Sequence, residues 1–309
     1  MKFGAQVSCY LTTWDEIRAV VETMEAGRWY SMYHADHFVP PNRPGAGEYE
    51  PAYEGYSTIA AVASITNRLR LGHLVLGNTY RNPALVAKMA GTIDHISHGR
   101  FQLGIGAAWF QREHEAYGWD FPPMRERSDR FEEACSLIRA LFTSDSPVDF
   151  EGQYYRLDGA SLSPGSVQEP HIPILVGGTG ETRTLRTLAM YGDVFNLDGF
   201  AARRDGGMSL NLYRRKIDVL NRHCEAVGRD PGEIRHTVLV PTKISDDKAD
   251  VDEFIEAIGP GTIAGTAEYV IDRVGELVDE GVDEIMFGRL PNDPQEFQRF
   301  EEEVIAAFD

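Results

Sequence analysis

A single (β/α)8 TIM barrel is the fold predicted for this 309-residue chain, and three observations predict it. Strand and helix signals alternate from end to end, a pattern that builds a parallel sheet covered by helices. Eight strand segments can be marked, each followed by a helical one, and eight such units close into a barrel. The turn after the first strand, VSCYLTTWDE, contains no glycine, whereas the rival open doubly wound sheet carries a Gly-rich turn there. Composition does not shift along the chain, so residues 1–309 read as one domain.

In order, KFGAQVS (2–8) is the first strand, and TTWDEIRAVVETMEAG (12–27) is a helix with a Thr cap and a closing Gly. YSMYHAD (30–36) is the second strand, stopped by Pro40 and Pro41, with helix YSTIAAVASITN (56–67) after a Pro/Gly-rich loop. LRLGHLVLGN (69–78) is a buried strand. The next helix, 82–99, has Asn82 at its cap, Pro83 in its first turn and Gly99 past its end. RFQLGIG (100–106) and helix 125–142 complete the first half. The second half repeats the rhythm with strands 172–178, 193–197, 234–244 and 282–288 and helices 180–192, 210–228, 267–281 and 294–308. Three insertions stand out: 39–55 after strand two, 143–171 after the strand-four helix, and 198–208 after strand six. Within the second, VDFEGQYYRL reads as a hairpin turned at Glu151-Gly152. The first and third follow strands, which places them on the catalytic face of a barrel, and DGFAARRDGGM has the glycines and paired arginines of a lid.

Composition excludes several function classes. A net charge of −18 argues against nucleic acid as a partner, because phosphate binding wants a basic surface. No apolar run approaches the ~20 residues that cross a bilayer, and MKFGAQVSCY reads as a strand rather than a signal peptide. Cys9, Cys135 and Cys224 are widely separated, which fits a cytoplasmic protein without a disulfide framework or zinc cluster.

Candidate chemistry gathers at four strand ends. Asp36 and His37 are adjacent, and consecutive strand residues point to opposite faces, so their roles should differ. Gly77, Asn78 and Thr79 offer small and hydrogen-bonding groups after strand three. After strand four, Gly104 and Gly106 weaken the sheet unless something must come close, and Ala107, Ala108 and Trp109 form a small-small-aromatic mouth for either a flat ring or core packing. In ILVGGTGETRTL, glycines 177, 178 and 180 let the amides of Gly178, Thr179 and Gly180 face an anion, or serve only a tight turn. His73 reads as structural, and His114 and His223 as surface helical residues. No HExxH, GxSxG or Cys-His arrangement occurs, and no metal site is expected.

Taken together, ADHFVPP, the run from YRNPALVAKMAG through RFQLGIGAAWFQREHEAYG to RERSDRFEEACSLIRAL, VDFEGQYYRL and PHIPILVGGTGETRTLRTLAMYGDVFN resemble the bacterial luciferase-like superfamily, in particular its branch using the deazaflavin coenzyme F420. The resemblance implies an F420-dependent oxidoreductase moving a hydride to or from a small-molecule substrate, usually as a homodimer, with a flavin or F420 reductase as redox supplier. It implies the cofactor phosphate on Gly177 to Gly180 and a bulge near Leu74-Val75, often with a non-prolyl cis peptide, behind the ring. Asp36 would contact the cofactor, and His37 would be the acid or base beside the reacting carbon. Where glucose-6-phosphate dehydrogenases of that branch have a catalytic carboxylate just after strand four, this chain has Trp109, with Glu113 one turn on. The alternatives on the same fold are an FMN-dependent two-component monooxygenase and a flavin-binding protein without turnover. Arg43, Arg203 and Arg204 would shape specificity or hold the coenzyme's acidic tail.

Overall fold

The computed structural model describes residues 1–41 and 50–308, so Arg43 and the rest of 42–49 in the first insertion lie outside the described residues. Twelve strands are present among them. They are β1 (Lys2–Gln6), β2 (Ser31–His34), β3 (Arg70–His73), β4 (Leu76–Gly77), β5 (Phe101–Gly106), β6 (Val148–Glu151), β7 (Arg156–Ala160), β8 (Ile174–Gly177), β9 (Val194–Asp198), β10 (Arg235–Ile244), β11 (Ile263–Gly265) and β12 (Glu284–Gly288). The parallel order β1-β2-β3-β5-β8-β9-β10-β12 returns to β1, so the eight-stranded ring closes. The predicted barrel is therefore the observed one.

Tyr33, Leu74, Leu175, Val194, Leu239 and Met286 come from around the ring and fill the barrel interior. A larger apolar layer lies between strands and helices, including Val20, Ile59, Ala90, Leu137, Leu188 and Val274. Below the apolar filling sits a polar layer. Gln102 donates to the Tyr33 hydroxyl at 3.2 Å, Arg235 donates to Gln102 at 2.6 Å, and Ser31 donates to Glu284. Burial pushes the Glu284 carboxyl up. Function is therefore left to the opposite, C-terminal end of the strands.

Two strands differ from expectation in ways that build that end. Strand β2 stops at His34, so Asp36 and His37 lie in the loop beyond it. The third barrel strand is broken into β3 and β4 at Leu74-Val75, whose peptide is cis. The break crowds its neighbours: a Cβ on Gly104 would stand 1.8 Å from the His73 carbonyl oxygen, and one on Gly177 would stand 2.6 Å from a Val75 methyl. Glycine at 104 and 177 is thus required by the protein's own backbone and Val75, not only by a guest molecule. The second insertion is the antiparallel β6–β7 hairpin, whose turn falls later than expected. There the Glu133 carboxylate accepts the N–H groups of Gln153, Tyr154 and Tyr155 at 2.7–2.9 Å. In the third, Ala201–Asp205 forms a 3₁₀ helix. The helix after β8 starts at Thr184 rather than 180, and Gln111–Tyr117 and β11 are additional elements.

Candidate active site

His37 and Glu113 meet at the mouth. His37 Nδ1 lies 2.9 Å from Glu113 Oε2, and the Glu113 side chain is fully buried. That carboxylate also accepts the Tyr80 hydroxyl at 2.6 Å and the backbone N–H groups of Phe38 at 2.5 Å and Val39 at 3.1 Å. Burial alone would raise its pKa, but the bonds from His37, Tyr80 and Val39 hold Glu113 below the usual carboxylate range. An ionised carboxylate only accepts, so Nδ1 carries a proton, and in the neutral imidazole Nε2 is the nitrogen that presents its lone pair. Nε2 has no hydrogen-bond partner among the described residues. The imidazole is caged by Tyr10, Trp109 and Phe110, with ring centroids at 6.2, 5.4 and 5.8 Å. Helix Gln111–Tyr117 delivers Glu113, and Gly77 admits the Tyr80 ring, which a Cβ would meet at 2.3 Å.

Asp36 faces the other way. It is 2% exposed and forms a two-point ion pair with Arg81, with bonds of 2.8 and 2.9 Å. Its Oδ2 also accepts the Gly77 N–H at 3.2 Å. Arg81 further pairs with Glu54, which caps helix Gly55–Ile65. The structure shows Asp36 bonded to groups that brace the end of the third strand, with a single donor on its Oδ1.

Asn78 is 3% exposed, donates to the Tyr155 hydroxyl at 3.3 Å, and leaves its Oδ1 without a partner. It turns toward the hairpin and lines a cleft of ≈ 390 Å³ with Tyr80, Trp119 and Tyr155. Val75 packs against Gly106 and Gly177, and Leu74 belongs to the barrel interior, its carbonyl accepting from Gln6 at 2.8 Å. Ala108 adopts φ 62°. Trp109 is 43% exposed and stacks on Phe110 at 5.1 Å, so the core-packing reading for it does not hold.

The glycine turn fits an anion. Gly178 has φ 117°, a conformation open to glycine, and the N–H groups of Gly178, Thr179 and Gly180 donate to no acceptor among the described residues. Beside His37, the buried Tyr10 hydroxyl is also without a partner. A planar, phosphate-bearing cofactor matches this donor set: free amides for the phosphate, and Val75, Ala108 and Trp109 around the ring.

Tyr80 and Arg81 were missed by sequence reasoning, and Glu113 was noted only for its place beside Trp109. A Tyr-Arg pair directly after a strand was the available signal. Two histidines are also corrected. His114 is fully buried, its Nε2 2.7 Å from the Thr79 hydroxyl and its Nδ1 2.9 Å from the Phe110 carbonyl. His223 is half-buried, with Nε2 2.7 Å from the Glu181 carbonyl. His73 is structural as expected, packed between Tyr56 and Phe101.

Fold and site together define a parallel barrel with a carboxylate-held histidine and a glycine turn of unengaged amides at its C-terminal mouth. The luciferase-like monooxygenase family model matches residues 2–259, and the chain belongs to that family. An F420-dependent glucose-6-phosphate dehydrogenase of Amycolatopsis mediterranei (strain U-32) is 31% identical over 265 residues, 85% of this chain and 75% of the relative. Its namesake from Nocardia farcinica (strain IFM 10152) is 28% identical over 298 residues, 85% of this chain and 84% of the relative. The solved structure of an F420-dependent secondary alcohol dehydrogenase in complex with an F420-acetone adduct has a TM-score of 0.81 at 19% identity, covering 100% of this chain and 99% of that one. That likeness is one of fold.

Proposed function

We propose that this protein is a coenzyme F420-dependent oxidoreductase acting on a small organic substrate, with His37 as the acid/base. The observation that carries the reading is the fixed His37–Glu113 pair, which leaves Nε2 as an acceptor at the mouth. The F420-dependent relatives support the choice of cofactor. When bound, the deazaflavin supplies the hydride chemistry. The chain's own residues do the rest. The amides of Gly178, Thr179 and Gly180 hold the phosphate, and Val75, Ala108 and Trp109 bound the ring. His37 Nε2 takes a proton from a substrate hydroxyl on oxidation and returns one on reduction, while Glu113 steadies the imidazolium that forms. Asp36 acts at one remove, by holding Arg81 and the end of the third strand.

Titration of the protein with F420 and with FMN, followed by chromophore fluorescence, tests the reading. Tight F420 binding with weak FMN binding is the expected result. Tight FMN binding with no F420 binding overturns it.

A further inference from the structure

The imidazole of His37 stands in a cage of aromatic carbon. Trp109 and Phe110 meet it edge-on, with ring planes at 77° and 79°, and stack on one another at 26° to form one continuous face. Tyr10 closes a further side at 51°. Trp109 is 43% exposed, and Leu11, which follows Tyr10 in the loop after β1, is 40% exposed at φ 51°. Neither an indole held out of the core nor a leucine held at positive φ serves the stability of the fold. Exposed apolar groups gathered at one place mark a surface that another molecule covers.

Polar side chains at the adjoining strand ends are engaged with the protein itself. Gln6 donates to the Leu74 carbonyl at 2.8 Å, Ser8 to the Tyr10 carbonyl at 3.1 Å, and Asn292 to the Ser8 carbonyl at 2.8 Å. Asp198 accepts the Phe200 N–H at 2.8 Å, and the Arg289 guanidinium lies over the Phe200 ring at 5.3 Å. Glu113 is bonded to Tyr80 and to His37. His37 Nε2 can meet one substrate oxygen. A molecule with many hydroxyls would exchange bonds to water for contact with ring carbon, at a loss for each. A hydrocarbon group gains by the same move.

From this arrangement we infer that the substrate is an uncharged, largely apolar alcohol or its carbonyl counterpart. It carries one oxygen on the reacting carbon and a hydrocarbon or aromatic group that lies along the Trp109–Phe110 face. The inference rests on the reading of His37 as the acid/base of an F420-dependent oxidoreductase. Oxidation of such an alcohol sends the O–H proton to His37 Nε2 and the C–H hydride to the deazaflavin, leaving a carbonyl, and reduction runs the same steps in reverse. Specificity then comes from the apolar cage, which favours each added carbon and offers nothing to a second hydroxyl.

Straight-chain alkanols from propanol to octanol, benzyl alcohol, glucose and glucose 6-phosphate are the turnover probes, each assayed with F420. In wild type kcat/KM is expected to rise about three- to fourfold per added methylene until the face is covered, and to be lowest for glucose and its phosphate. Trp109→Ala and the surface variant Leu11→Ser should each flatten that rise. Naphthol binding to the same three proteins without cofactor, read by equilibrium dialysis, should weaken about tenfold or more in Trp109→Ala. A higher kcat/KM for glucose 6-phosphate than for octanol, a flat alkanol series, or no alkanol turnover by a wild type that binds F420 overturns the inference. A wild type that binds no F420 removes the cofactor reading, and naphthol then decides the cage alone. Weaker binding in Trp109→Ala keeps the cage, and equal binding by all three proteins removes it.

Discussion

Glu113 is bound by four donors and touches the solvent nowhere, so its work is done through His37. It sets which imidazole nitrogen holds the proton and stabilises the charge when the other gains one. His37→Ala should therefore lower kcat by about 10³-fold, within the usual range for acid/base catalysis, while leaving the F420 dissociation constant nearly unchanged. Steady-state kinetics and a binding titration separate the two. Glu113→Gln keeps the shape but replaces an acceptor-only group with an amide. Its expected loss is about 10²-fold in kcat with the F420 dissociation constant nearly unchanged, because the imidazolium loses its anionic partner. An unchanged kcat would show Glu113 to be only a scaffold. Tyr80→Phe removes one of the four donors to Glu113 and should cost less than either.

At the scale of elements, the break between β3 and β4 organises the mouth. It pushes the His73 carbonyl toward β5 and Val75 toward β8, and glycine at 104 and 177 accommodates both. The glycines were legible in the chain as places where something comes close, but the close object is a neighbouring strand. Gly104→Ala places a methyl against backbone, which cannot swing aside. It should destabilise the protein by about 3 kcal/mol, the upper part of the usual overpacking cost, read as a shift in the urea midpoint at unchanged slope. A neutral result would mean that the break relaxes freely.

For the whole molecule, stability is tied to pH by histidines sealed inside the barrel wall. Burial lowers the pKa of both His34 and His73 from 6.5 to about 4. Between those values the unfolded chain binds protons that the folded chain refuses, so stability is full above pH 6.5 and falls as the pH drops toward 4. Each shift corresponds to about 3 kcal/mol. Glu284, raised by burial, works in the opposite sense, so the difference between wild type and His73→Leu isolates the histidine. Urea unfolding at pH 7 and pH 4.5 should show a smaller acid loss in the variant, and equal losses would refute the assignment.

By itself the sequence determined the barrel, because periodicity, caps and breakers act over a few residues and repeat eight times. It also marked the Asp36-His37 pair and the 177–180 turn, since both are contiguous, and the resemblance located the break near Leu74-Val75. Only the tertiary structure decided which groups bond. Glu113 is 76 residues from His37, and Arg81 is 45 from Asp36. No local rule sets such a pairing, because it forms only when the strands close into a ring and bring distant loops to one mouth. The same closure separates the roles of two adjacent residues, sending Asp36 to a buried arginine and His37 to the site.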